Sequence, residues 1–238
     1  MISTTGIVIN SIKYSESSLI VKIYTLEHGM LSFIAKGIRR AKSKKSPAFF
    51  FPFSILEINY NHQSKRELQT LGDVRFEHPV MEILSDMNKT SIALFLCEIL
   101  SICLYEQNHD PKLFSFIKNS IIKLNETPEK YANFHLAFLL KLSLFLGFYP
   151  NYNLSKNTPY FNIEEGCFQA QFEKSPIILN QEESQLLASL LHAMENKQHL
   201  PLVKSQRNQL LNIILDFYRQ HIPNFKELKT LGVFKALQ

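Results

Sequence analysis

The sequence predicts an α+β chain: a small closed barrel of five strands over residues 1–79, then a mostly α-helical domain over 80–238 with a long insertion at about 151–179. Three observations lead there. Up to Val80 the apolar residues come in short runs rich in Ile, Val, Tyr and Phe, whereas beyond it they recur at helical spacing. Charge divides at the same place: the first 80 residues carry 11 basic side chains against 6 acidic ones, an excess equal to the +5 of the whole chain. The third is capacity: 238 residues, 45% hydrophobic and 20% charged with mean hydropathy −0.07, suffice to bury a sizeable core.

The five strand-like runs are Gly6 to Tyr14, Leu19 to Thr25, Met30 to Ala35, Phe49 to Tyr60 and Glu67 to Val74. Gly29, the stretch around Pro47, and the polar Asn61 to Arg66 separate them with turn chemistry. Five short strands in so few residues suit an OB-fold, whose closure removes the exposed edges of an open sheet. A barrel this small needs large inward side chains, so most of Tyr24, Phe33, Phe49, Phe50, Phe51 and Phe53 are assigned to its core, with one or two left to face outward.

Beyond Val80, Asp110-Pro111 and Thr127-Pro128 each read as an N-cap followed by proline at the first helical position. Asn180 with Glu183 resembles a capping box, and it precedes the stripe Leu186, Leu187, Leu190, Leu191 and Met194. Leu211, Ile214, Leu215 and Tyr218 form another stripe. Phe134 to Phe148 is apolar nearly all round, which predicts a helix surrounded by other helices. Pro159, Gly166 and Pro176 break the helical pattern between Asn151 and Leu179, where an ordered insertion with a hairpin is expected.

Several function classes drop out. Seven glycines, ten prolines and three cysteines are too few for collagen, low-complexity or disulfide-scaffold chemistry. No two glycines are closer than eight positions, so dinucleotide fingerprints, P-loops and nucleophile elbows are missing. No His-Glu-x-x-His or Cys-x-x-Cys motif occurs. Glu182-Glu183 sits at a helix start, where carboxylates favour the macrodipole without any catalytic role. The most apolar stretch, Phe134 to Tyr149, falls short of the roughly 20 residues that cross a bilayer. With no basic n-region at the amino terminus and an odd number of cysteines, a reducing, cytoplasmic setting is expected, with no membrane partner.

The positive feature is a basic block. Six of the ten residues from Lys36 to Lys45 are cationic and none is acidic: Lys36, Arg39, Arg40, Lys42, Lys44 and Lys45. Such a run is either a solvated loop or a phosphate-contacting one, since clustered Lys and Arg gain affinity by releasing condensed counterions. Lys13, Lys65 and Arg66, on flanking strands and turns, are weaker candidates for the same contacts.

These residues also carry a resemblance. Gly6-Ile7-Val8-Ile9, Tyr14-Ser15-Glu16-Ser17-Ser18, Thr25-Leu26-Glu27-His28-Gly29 and Ile34-Ala35-Lys36-Gly37-Ile38-Arg39-Arg40 with Lys42-Ser43 closely resemble the amino-terminal domain of the RecO family of bacterial recombinational repair proteins. Phe134-His135-Leu136, Leu146-Gly147-Phe148-Tyr149-Pro150, Tyr218-Arg219-Gln220-His221 and Leu228-Lys229-Thr230-Leu231 extend the resemblance to the helical half.

The resemblance implies an OB-fold joined to a helical domain in a non-enzymatic protein of the cytoplasm and nucleoid. It implies binding of single- and double-stranded DNA, annealing of complementary strands, and contacts with RecR and with the carboxy-terminal tail of single-stranded-DNA-binding protein. It implies help in loading the RecA recombinase. Many relatives hold zinc with four cysteines in the insertion after the central helix, whereas here that segment contains only Cys167, so no metal or other cofactor is expected. Tyr152, Tyr160, Phe161, Phe168 and Phe172 are expected to form a small apolar cluster instead. The alternative from another class is a basic adaptor that docks on acidic protein or anionic membrane surfaces. A nuclease ranks behind both, because no metal-ligand cluster is visible.

Overall fold

A computed structural model describes residues 1–38, 46–104, 109–128, 131–173, 175 and 177–237. Its amino-terminal strands are β1 (Ile2–Lys13), β2 (Leu19–Thr25), β3 (Gly29–Ala35), β4 (Ile55–Tyr60) and β5 (Leu68–His78). They close in the order β1-β2-β3-β5-β4, with the β3–β5 pair parallel and the others antiparallel. Alternation turns Val8, Val21, Ile23, Phe33, Leu56 and Ile58 inward, where all are fully buried. Tyr60 fills one end of this core, its ring meeting Phe33 edge-on at 5.0 Å.

Two strand boundaries differ from the sequence expectation. β1 starts at Ile2 because the polar Ser3, Thr4 and Thr5 pair with Asn59, Ile58 and Glu57 of β4. The expected run from Phe49 is not a strand until Ile55. Pro47–Phe50 is instead a 3-10 turn, capped by Ser46, whose Oγ accepts from the Ala48 N–H. Pro47 and Pro52 have no N–H to give a ladder, and that keeps this stretch out of the sheet. Phe53 is left with φ 71°, held there by its N–H donating to the Val8 carbonyl at 2.8 Å and by complete burial of its ring.

The helices are α1 (Met81–Ser85), α2 (Met87–Cys103), α3 (Pro111–Glu126), α4 (Phe134–Phe145), α5 (Gln181–Glu195), α6 (Lys204–His221) and α7 (Leu231–Leu237). Asp110 caps α3 through the Lys112 and Leu113 N–H groups, and the Asn180–Glu183 capping box opens α5. Thr127 does not open a helix as expected. It closes α3, its Oγ1 donating to the Lys123 carbonyl, and the next described helix begins after Asn133. An N-cap type alone does not decide direction when an unfinished helix lies immediately before it.

Compactness divides the chain differently from the strand-to-helix switch between His78 and Met81. One unit comprises Met1–Glu129 with Glu227–Leu237, so α1, α2, α3 and α7 pack with the barrel. Asn125 of α3 ties this unit together: its Oδ1 accepts from the Glu82 and Ile83 N–H groups at the start of α1, and its carbonyl accepts from the Lys89 ammonium. Glu98 of α2 accepts from the Lys229 and Thr230 N–H groups and the Thr230 hydroxyl, fixing the start of α7. Phe95 and Phe234 stack at 4.3 Å beside it.

The other unit, 130–226, is built on α4, α5 and α6. Leu136, Leu139, Leu140 and Leu142 of α4 are buried, and the Tyr218 hydroxyl donates to the Leu139 carbonyl at 2.6 Å. The all-round burial expected of α4 is incomplete: Leu144 is 60% exposed. The insertion contains the hairpin β6 (Tyr160–Asn162) and β7 (Cys167–Gln169). Phe161 packs on Phe168 at 5.0 Å and meets Phe217, Tyr152 joins through Phe168, and Tyr160 pairs with Phe172 separately, so the expected cluster exists as two groups. Asn153 stands in for a further strand, bonding both the N–H and the carbonyl of Phe168. Among the described residues no helix is long and apolar enough to cross a membrane.

Candidate nucleic-acid interface

The outward residues of β1, β2 and β3 line up in rows across the barrel wall. Register places Ile12 beside Ile20, Ile20 beside Ile34, and Ile34 beside Thr70 of β5. The next row runs Asn10, Lys22, Ser32 and Leu68. Ile12 is 53% exposed and Ile20 and Ile34 are half-buried, giving an aliphatic strip on the outer wall. Tyr14, 61% exposed, stands at the end of this strip in the β1–β2 turn. Farther along β2 the wall is covered, because Tyr24 packs against Phe114 of α3 at 5.9 Å, and burial aided by the Asp110 charge pushes its hydroxyl up to about 12.

The candidate cations border this wall at its two ends. Lys13 pairs with Leu19, which pairs with Ala35 next to Lys36, so the two lysines share one rim about 10 Å apart across two strand spacings. The Ile38 N–H donates to the Ser17 carbonyl at 2.9 Å, tying the start of the basic stretch to the β1–β2 turn. Arg39, Arg40, Lys42, Lys44 and Lys45 lie outside the described residues. Lys65 and Arg66 sit on the β4–β5 loop at the opposite end. Lys36 follows the end of β3 while Arg66 precedes the start of β5, and the two strands run parallel, so the two cations lie toward opposite ends of this pair.

Lys13, Lys36, Lys65 and Arg66 are exposed, and none belongs to the ion pairs found among the described residues. Arg75 and Lys118 are different: Glu57 and Glu77 hold them. Glu16 and Glu67, neighbours of the rim cations in sequence, form no ion pair with them.

The β4–β5 loop is shaped by Gln69, whose side chain is buried within β5. Its Oε1 accepts from the Gln63 N–H at 2.9 Å, and its Nε2 donates to the Gln63 and Arg66 carbonyls at 2.9 and 2.5 Å. Beside this loop His28 and His62 stack at 4.3 Å, and the Tyr60 hydroxyl bonds His28 Nδ1 at 2.9 Å. Burial and the adjoining His62 hold His28 below its ordinary pKa.

Reasoning from sequence singles out the cations but misses the aliphatic strip. Its sequence trace is that Ile20 and Ile34 stand at outward positions of β2 and β3 where Lys22 and Ser32, two residues away, are polar. The aromatic rings considered for stacking are elsewhere: Tyr24, Phe33, Phe50 and Phe53 are buried, and Phe49 packs on Phe76 at 4.5 Å. Tyr14 is the exposed ring on this wall.

Residues 1–80 match the sequence model of a family described as Recombination protein O N terminal, and residues 84–231 match Recombination protein O C terminal. A "DNA repair protein RecO" of Phocaeicola vulgatus is 34% identical over 235 residues, covering 98% of this chain and 98% of the relative. One of Flavobacterium johnsoniae is 34% identical over 237 residues, at 99% and 98% coverage. One of Azobacteroides pseudotrichonymphae is 32% identical over 235 residues, at 98% and 98%.

Proposed function

The chain belongs to the Recombination protein O family of DNA repair proteins, and on that premise we propose that it holds single- and double-stranded DNA on the outer wall of its barrel without reading sequence. The observation that carries this reading is the set of exposed cations at both ends of one barrel wall, none of them in the ion pairs found among the described residues. Lys13 and Lys36 contact phosphates at one end and Lys65 and Arg66 at the other; Arg39, Arg40, Lys42, Lys44 and Lys45, outside the described residues, are assigned the same role from their sequence. OB-folds use this wall and the β1–β2 and β4–β5 loops for oligonucleotides. Phosphate contacts orient a strand but carry no base information, and Ile12, Ile20 and Ile34 offer apolar contact without hydrogen-bonding groups to read base edges.

Annealing follows from the same charge. Two polyanions repel, and a surface that neutralises both lowers the barrier to pairing without making or breaking a covalent bond. The chain is therefore a mediator and not an enzyme. The helical region, whose charges balance, is assigned to protein partners: RecR, the acidic tail of single-stranded-DNA-binding protein and, through them, RecA loading.

The test compares Lys13→Gln/Lys36→Gln with Lys65→Gln/Arg66→Gln in duplex binding between 50 and 200 mM salt. Each pair should flatten the slope of log K against log salt by up to about 1.8, at ~0.9 per lost contact. Slopes unchanged in both variants would remove the wall from consideration. Capture of anionic vesicles without DNA affinity at equal salt would favour the adaptor reading instead.

A further inference from the structure

On the outer wall, past Thr70 and Leu68, the barrel surface sinks into a cavity of about 220 Å³. Asn59, Asn61, Gln63 and Arg66 line it, and Thr70, beside Ile34 in register, forms the border shared with the aliphatic strip. Gly72 also lines it. A Cβ there would meet the Asn59 carbonyl oxygen at 2.6 Å, so the close approach of β4 and β5 at this point requires glycine.

The chemistry of the lining is specific. Among the described residues no carboxylate borders the cavity. The side-chain amides of Asn59, Asn61 and Gln63 and the Thr70 hydroxyl make no hydrogen bond within the described residues, so donors and acceptors stand ready together. The buried Gln69 side chain holds the backbone of the rim at two points, Gln63 and Arg66. The volume is below the ~300–1,000 Å³ of clefts that take drug-sized ligands, and it suits one planar ring system.

We propose that this cavity receives one unpaired nucleotide of a strand lying on the barrel wall. The base enters with its edge toward Asn59, Asn61 and Gln63, and Arg66 contacts the phosphate. Amide side chains match base edges because each offers a donor and an acceptor side by side. A paired base has its Watson–Crick edge occupied and stays in the stack, so the cavity favours single strands over duplex. This site rests on the reading of the wall as a DNA surface, yet it makes a separate claim: the wall attracts any DNA, whereas the cavity distinguishes an unpaired base from a paired one.

The variant Asn61→Leu/Gln63→Leu tests it in the full chain, because both residues are exposed and neither side chain holds the fold. Single-strand affinity should fall on the order of tenfold, the equivalent of one lost base-edge contact, with duplex affinity and its salt slope unchanged. A single 2-aminopurine placed along an oligonucleotide should change fluorescence on binding to the native chain and not to the variant. Equal losses for single strand and duplex, or no loss for either, would overturn the cavity while leaving the wall standing. Binding of free 2-aminopurine nucleotide with no response from the oligonucleotide would also overturn it. Absence of any salt-dependent binding by the native chain would instead sink the wall itself.

Discussion

Gln69→Leu separates the shape of the β4–β5 loop from its charge. The substitution keeps the side chain near its present volume and removes three hydrogen bonds, to the Gln63 N–H and to the Gln63 and Arg66 carbonyls. At roughly 1 kcal/mol net each they total about 3 kcal/mol. Two effects offset this: the freed loop groups lie close enough to the surface to find water, and a buried leucine gains about 1 kcal/mol over an amide. A net loss of about 2 kcal/mol in urea unfolding is expected. Lys65 and Arg66 remain in the sequence, so any flattening of the salt slope of DNA binding measures positioning alone. That flattening should approach the effect of Lys65→Gln/Arg66→Gln. An unchanged unfolding midpoint would refute the claim that Gln69 organises the loop. A lowered midpoint with an unchanged salt slope would refute the claim that loop geometry matters for the cations.

The remaining predictions concern stability and access. His135 is fully buried, and desolvation aided by the Arg207 charge lowers its pKa to about 3, so the native imidazole is neutral while the unfolded one protonates near 6.5. Its contribution is thus present above 6.5 and lost as pH falls; at pH 4.5 the loss is about 3 kcal/mol, and His135→Leu should flatten that part of the pH–stability profile. Glu98→Ala removes the acceptor for Lys229 and Thr230, so hydrogen exchange should accelerate over 227–237 well before it does in the barrel strands. Burial pushes the Cys97 thiol up and that of Cys103 up to about 12, whereas Cys167 is partly exposed, so a thiol reagent should label Cys167 first and the other two only on unfolding.

What the sequence determined by itself is local. Short runs rich in Ile, Val, Tyr and Phe, bounded by Gly29 and the polar Asn61 to Arg66, are enough to foretell five strands closing into a barrel, since strand preference is set residue by residue along each run. Asp110-Pro111 and Asn180-Glu183 likewise announce their own helix starts, because a cap acts within one turn. The crowding of cations before Val80 needs no coordinates at all. Thr127 and the Phe49 to Phe53 run mark the limit of local reading: whether a threonine opens or closes a helix, and whether phenylalanines beside prolines join a sheet, depends on what lies next to them. Tertiary structure alone decided which residues stand together. Ile12, Ile20 and Ile34 are far apart in the chain and become one strip through register, a shift of one residue in any strand turning its side chains to the other face. Lys36 and Arg66 became opposite ends of one wall because β3 and β5 pair in parallel across the closed barrel. Gly72 and Asn59 shape a cavity only because β4 and β5 come close there. Contacts between distant segments depend on how the barrel closes, and no short window of sequence carries that information.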